Sequence, residues 1–356
     1  MDSPRASREA SQSPSLRPGM PRESGQTRLY LAAGAVLLLG HLALAAASAR
    51  LMSLTYDEPN HLRYGEQILV GDSDRFDDSK MPFSALNAGV VRLGRALLPS
   101  LFQGTWQPER IGRLATILFS TFIASVIWLW ATAWYGRLAG LAALFLYALE
   151  PNTLAHAGLI TTDVYAAGMI ALSVLSFRWF LANPTLGRAA GCGLIVGLAQ
   201  LAKYTSVFVY LILFILGMVH LSRRPIRLSF PRARTWALLA AAFLLANLLV
   251  INAGFLFRRS FVPFGQYRFR SDLFRTLQSS LPTLNGLPVP LPYPYFEGLD
   301  WVRQRDQSGK GYGSRYLFGE ARDDRGFAGY YVFAYLFKVP LPGILALSLA
   351  LIGYLR

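Results

Sequence analysis

Residues 29–49 read LYLAAGAVLLLGHLALAAASA, and the chain then reaches Tyr56-Asp57-Glu58-Pro59-Asn60-His61. The first run matches the length of one transmembrane helix, which needs about 20 predominantly apolar residues. Two adjacent acids directly after such a span, opening a long polar loop, are costly to hold at a bilayer surface without a purpose. Working outward from this junction, nearly everything downstream is apolar helix with a few ionisable residues at helix ends. The chain reads as a membrane-embedded scaffold that presents chemistry at this acidic loop.

Composition agrees. Of 356 residues, 53% are hydrophobic and 15% charged, with a mean hydropathy of +0.34, whereas soluble domains carry about 25% charge. The single cysteine, Cys192, excludes a disulfide within the chain. The net charge of +15 is spread over tail, loops and helix ends, with no basic stripe interleaved with aromatics, so no nucleic-acid partner is expected. Lysine and arginine at loop anchors against anionic leaflets account for it.

Residues 1–28 are rich in Ser, Pro and Arg and are expected to form a disordered cytoplasmic tail. Ala47-Ser48-Ala49 has the small residues of a signal-peptidase site, but the long run and the spans that follow favour an uncleaved anchor. Residues 51–110 form the first long loop. It holds Asp72, Asp74, Asp77 and Asp78, then Ser79-Lys80-Met81-Pro82, and an amphipathic stretch over Ala85–Leu98 suited to lie in the interface. Further spans are read at Ile111–Trp134, Leu138–Leu149 (short), Val164–Leu181, Trp236–Phe257 and Val339–Leu355. Ala189–Leu221 is read as two, broken at Lys203-Tyr204. The expected architecture is all-α: about eight transmembrane helices with two long loops bearing interfacial helices. The second loop, residues 258–326, has prolines at 282, 288, 290, 292 and 294 that block continuous helix. Phe327–Phe337 is aromatic-rich and suited to the headgroup level.

Arg223, Arg224, Arg227, Arg232 and Arg234 fill the short loop Ser222–Thr235 without an acid, marking it cytoplasmic. Both long loops then face outside, as do Glu150–Asp163 and the Lys203 break. Arg258-Arg259 run against the rule, from which long loops are largely exempt. The count depends on Leu138–Leu149 crossing; otherwise Asp163 and Asp57 fall on opposite sides.

Four polar clusters converge on the outer face in this reading: Asp57-Glu58 with His61; Lys80; Glu150-Pro151-Asn152-Thr153-Leu154-Ala155-His156 running on to Thr161-Thr162-Asp163; and Lys203-Tyr204. Carboxylates beside lysines suit a reaction that needs a base and cations for a leaving phosphate. Blander readings stand beside each. Asp57-Glu58 would serve as solvated loop acids, Thr162 or Asp163 as a helix N-cap, Lys203 as a snorkelling anchor, and His156 as a satisfied loop histidine. Lys338 before Pro340 reads as an interfacial anchor, and Tyr330, Tyr331, Phe333, Tyr335 and Phe337 as an aromatic belt.

In their order and spacing these motifs resemble the polyprenyl-phosphate-sugar-dependent membrane glycosyltransferases of the GT-C fold, relatives of protein O-mannosyltransferase and the lipid A aminoarabinose transferase. The resemblance covers residues 29–356. It rests on Tyr56-Asp57-Glu58 with His61, Lys80-Met81-Pro82, Pro151-Asn152 through His156 to Thr161-Thr162-Asp163, and Lys203-Tyr204. Tyr316-Leu317-Phe318-Gly319-Glu320, Gly329-Tyr330-Tyr331 and Phe337-Lys338-Val339-Pro340-Leu341-Pro342 extend it to the second loop and its exit into a span. Many relatives have a His-Pro-Pro or Glu-Lys-Pro triplet where this chain has Ser79-Lys80-Met81-Pro82, with Asp78 the nearest acid. Relatives also commonly continue through more spans or a soluble domain, so this chain is expected to be compact or C-terminally truncated.

The resemblance implies an inverting sugar transfer from a polyprenyl monophosphate donor to a hydroxyl acceptor on a protein, lipid or glycan. It implies Asp57 as general base, Glu58 and Asp163 orienting acceptor or sugar, and Lys80 and Lys203 on the leaving phosphate. His61, His156, Tyr204, Glu320 and Lys338 complete the implied substrate-binding set. No cofactor is required; a divalent ion near the acids is compatible, though the lysines make it unnecessary. The expected setting is a bacterial inner membrane, given an arginine-over-lysine bias with Ala and Leu richness, with the site on the extracytoplasmic side. A transporter, whose ionisable residues would sit near the midplane of two matched halves, and a catalytically inactive scaffold or lipid binder are the other classes.

Overall fold

The structure, a computed structural model, describes residues 25–72, 80–102, 108–223, 230–308, 314–323 and 326–355. Helix α1 (Gly25–Leu51) leads into α2 (Glu58–Leu69) and α3 (Ser84–Leu97) of the first loop, then α4 (Pro108–Tyr135). Next come α5 (Arg137–Ala148), α6 (Pro151–Ala157), α7 (Asp163–Ala182), α8 (Leu186–Ala202), α9 (Phe208–Arg223) and α10 (Phe230–Gly254). The second loop contains α11 (Asp272–Ser280) and α12 (Tyr293–Ser308), followed by an antiparallel hairpin of β1 (Arg315–Leu317) and β2 (Glu320–Arg322). Helices α13 (Tyr330–Lys338) and α14 (Leu341–Leu355) close the chain.

The protein is an all-α polytopic membrane bundle. Among the described residues five helical segments are long and apolar enough to cross a bilayer: α1, α4, α7, Tyr204–Arg223 and Ala233–Gly254. Two bent pairs, α5 with α6 at 60° and α13 with α14 at 109°, bring the number to seven if each counts as one span. Eight spans were expected, and the shortfall has a physical cause. At 1.5 Å per residue the twelve residues of α5 rise only about 18 Å, so α5 needs α6 to cross, and α8 is a shorter apolar helix. The tail expected over residues 1–28 falls on residues 1–24, outside the described residues, and on the first turn of α1. Asp74, Asp77, Asp78 and Ser79 of the first loop, and Arg224 and Arg227 of the basic loop, also lie outside them.

Inside lipid, helices associate through close packing and buried polar groups rather than through a hydrophobic driving force. Helices α8 and α10 meet over Gly193 and Gly197. A Cβ at Gly193 would lie 2.2 Å from the Phe243 carbonyl oxygen, so any side chain there forces the two helices apart. His41, fully buried in α1, hydrogen-bonds the Ala148 carbonyl through Nδ1 (3.0 Å) and pairs with the Ser120 hydroxyl through Nε2 (2.9 Å), tying α1 to α4 and α5. Asn87 of α3 donates to the Gly112 carbonyl and the Thr116 hydroxyl, and accepts from the Tyr165 hydroxyl, so the amphipathic α3 is bonded to α4 and α7. The helix expected at Ala85–Leu98 is present as α3.

The second loop packs on its own aromatic cluster of Phe264, Tyr267 and Phe269, with Phe274, Tyr293 and Phe296 against it. Asp300 pins the turn before α11, accepting from the Ser271 hydroxyl (2.5 Å) and the backbone N–H groups of Arg270 and Ser271. Where α10 ends, Leu256, Phe257, Arg259 and Phe261 all take positive φ, a costly run for residues with a Cβ. The chain there reverses to set α12 over the break after α8.

Candidate active site

The structure brings the expected clusters together as two cation–carboxylate pairs. Lys80 Nζ lies 3.7 Å from Asp57 Oδ1, with the lysine side chain 8% exposed and the aspartate 58% exposed. Lys203 Nζ donates to Asp163 Oδ1 at 2.5 Å, both side chains part-exposed. The pairs are joined through the backbone. The Phe83 N–H donates to the Leu201 carbonyl (3.3 Å), two residues from Lys203, and Met81 is buried in one cluster with Leu201, Tyr204 and Tyr295. On the other side, the Ile160 N–H donates to Glu58 Oε1 (3.1 Å), which fixes the segment leading to Asp163 against the Asp57-Glu58 turn.

Local sequence explains each position. Pro59 in the first turn of α2 has no N–H to lose, and Asp57 stands at the N-cap position with no side-chain hydrogen bond to that turn. Lys203 sits in extended backbone (φ −160°, ψ 145°) between α8 and the short helical turn Tyr204–Val207. Its side chain is thereby turned out of the helix line. The break is buttressed from the second loop. The Tyr295 hydroxyl donates to Gln200 Oε1 (2.9 Å), while the Gln200 amide donates to the Ser206 carbonyl (3.0 Å).

Tyr204 is buried, and a Cβ on Gly298 would lie 1.9 Å from its hydroxyl. Gly298→Ala should therefore destabilise the protein by about 1–3 kcal/mol through overpacking and disturb the Lys203 break. Thermal melting and transfer rate report the two effects, and an unchanged melt would show that Tyr204 is not clamped.

Arg113 was not singled out in the sequence, although it is the third residue of the run Ile111–Trp134. Arg113 and Glu58 are both fully buried. The guanidinium grips the carboxylate in a two-point fork, Nε to Oε1 and Nη2 to Oε2, both 2.7 Å. Its remaining N–H groups go to the carbonyls of Ala49, Met52 and Ser53, so all five donors are used and the C-terminal end of α1 is capped. Glu58 also accepts from the N–H and hydroxyl of Thr55. Burial pushes the Glu58 carboxyl up, but the Arg113 hydrogen bond, the N–H groups of Thr55 and Ile160, and the guanidinium charge together outweigh it and hold the carboxyl below its ordinary range. Glu58 thus faces the protein interior while its neighbour Asp57 faces solvent. A buried ionisable residue in an apolar run is the signal that could have found Arg113.

The other expected residues are distributed as follows. His61 is buried and shares a 3.0 Å hydrogen bond with the Ser84 hydroxyl, clasping α2 to α3. His156 is exposed and lines a cavity with Asp163 and Glu150. Lys338 comes to the same region, its carbonyl accepting from the Asn152 amide (2.7 Å). Glu320 is exposed on the hairpin, where its ion partner among the described residues is Arg322 rather than a member of either pair. Among the described residues no three His, Cys, Asp or Glu side chains gather as a metal-holding group.

Residues 97–251 match the family model described as dolichyl-phosphate-mannose-protein mannosyltransferase. The matched segment contains Arg113, Glu150–Asp163 and Lys203; Asp57 and Lys80 precede it. No curated protein and no solved structure matches the chain.

Proposed function

We propose that the chain, whose residues 97–251 match the dolichyl-phosphate-mannose-protein mannosyltransferase family model, is a GT-C-type polyprenyl-phosphate-sugar-dependent membrane glycosyltransferase, and that it moves a sugar, with inversion, from a polyprenyl monophosphate to a hydroxyl acceptor on the extracytoplasmic face of a bacterial inner membrane. The observation that carries this reading is the stitched double pair, Lys80–Asp57 and Lys203–Asp163. Each lysine is held at rest by a carboxylate and can be redirected to a phosphate, while each carboxylate stays accessible to a hydroxyl.

In the reaction, Asp57 takes the acceptor proton as the acceptor oxygen forms its bond to the anomeric carbon. The bond from that carbon to the phosphate oxygen breaks, and the electron pair leaves with the lipid phosphate. Lys80 and Lys203 stabilise the charge that develops there. Asp163 orients sugar or acceptor while steering Lys203. Glu58 acts through Arg113 and the backbone, fixing the turn that presents Asp57, and Tyr204 and His61 hold the break and the α2–α3 clasp. Those three are positioning residues.

The test is transfer from a panel of radiolabelled polyprenyl-phosphate sugars by the protein reconstituted in lipid. Lys203→Gln should lower kcat by about 10²–10³, as loss of one preorganised transition-state donor does elsewhere. A variant that transfers at the wild-type rate would place the leaving phosphate away from Lys203.

A further inference from the structure

A cavity of about 280 Å³ opens beside Asp163, between α4 and α7. Its mouth is polar, formed by Glu150, Asn152, His156 and Asp163. Its shaft is apolar, running past Ile127, Ala167 and Ala171. Ala167 is exposed on the outer surface of α7, so the shaft opens sideways toward lipid. From Asp163 to Ala171 the helix rises about 12 Å, which carries the shaft well below the ion pairs. The mouth is preformed: Glu150 accepts from the Thr153 N–H (2.5 Å) and the Asn152 amide (2.6 Å), and Asn152 is tied to the Lys338 carbonyl.

We propose that this cavity binds the acceptor, and that the acceptor is a membrane lipid with a hydroxyl-bearing headgroup that carries no negative charge. The inference rests on the glycosyltransferase reading above and specifies its second substrate. A polar mouth on an apolar shaft matches an amphiphile. A polypeptide entering the shaft would bury backbone N–H and C=O groups without partners at membrane depth, which costs several kcal/mol per group. The donor is excluded by charge. Its phosphate needs cations, and the described lining holds two carboxylates and neither lysine nor arginine, Lys80 and Lys203 not being among the lining residues. Headgroup hydroxyls, in contrast, can donate to Glu150 and Asp163. Asp163 borders both the cavity and the Lys203 pair, so a hydroxyl seated in the mouth is next to the phosphate-binding side.

The experiment supplies the reconstituted full chain with radiolabelled donor and native host membranes. Mild acid then removes unreacted donor, and the label is divided among protein, anionic lipid and lipid not retained on an anion exchanger. The expected result is label in the unretained lipid. With that lipid purified as substrate, Ala167→Trp and Ala171→Phe should each raise its KM at least tenfold, whereas Leu245→Trp, on the exposed face of α10, should leave KM unchanged. Melting curves confirm that each variant is folded. Label in protein or in anionic lipid, donor loss to water alone, or an unchanged KM in both folded shaft variants would overturn the acceptor assignment. Failure to consume any donor would sink the glycosyltransferase reading and the acceptor with it.

Discussion

Asp57→Asn should reduce sugar transfer by about 10²–10⁴, the span that a positioned general base contributes, with folding and donor binding retained. The substitution is isosteric, and the side chain is 58% exposed, so little packing is lost. The neighbouring Lys80 loses its counter-charge, which leaves a cation still available to the phosphate. Loss should therefore fall on kcat rather than on the KM for donor, since the base acts in the transition state. Equal kcat in variant and wild type would move the base elsewhere, with Asp163 the next carboxylate to test.

Glu58→Gln should cost far more stability than its conservative chemistry suggests. It removes the carboxylate that grips the fully buried Arg113, and breaking a buried pair from one side typically costs about 3–5 kcal/mol. Arg113→Met should be as severe, because it also strips the Ala49, Met52 and Ser53 carbonyls of their donor. The double variant Glu58→Gln with Arg113→Met should lose less than the two single losses combined, because no uncompensated charge remains. It should still melt below wild type, since each orphaned carbonyl costs about 1–3 kcal/mol. A double variant whose loss equals the sum would show the fork to be energetically idle.

The pH dependence follows with its sign. The folded-state carboxyl of Glu58 is held below its ordinary value of 4.5, so its contribution to stability is fully present above 4.5 and is lost as pH falls through the lowered folded value. Melting temperature should drop in that acid range, and less steeply in Glu58→Gln.

Particular residues show how far the sequence carries the account. Run length and charge located α1, α4, α7 and α10, and helical spacing located α3, because both are properties of a single stretch. The lysine at 203 announced the break it makes, since no apolar helix carries a central cation without cause. The pairing of Asp57 with Lys80 and of Asp163 with Lys203 was expected only as a convergence of clusters on one face.

Three features were not legible. Asp57 and Glu58 are adjacent acids, and which of them turns inward depends on Arg113, 55 positions from Glu58 along the chain and on another helix. The bend between α5 and α6 follows from Glu150 capping α6 at Pro151, a local signal that hydropathy averaging hides. Tyr204 looked like a binding residue, but its burial against Gly298 and Tyr295 depends on where the second loop folds back, which no spacing encodes.

The central claim is that the two stitched ion pairs run one glycosyl transfer. The most direct measurement is label transfer from the donor panel by wild type, Asp57→Asn and Asp163→Asn side by side, with the anomeric configuration of the product read by NMR. The account predicts one accepted donor, an inverted product, and loss of transfer in both variants at unchanged melting temperature. Full transfer by both folded variants, or retention of configuration, would contradict it.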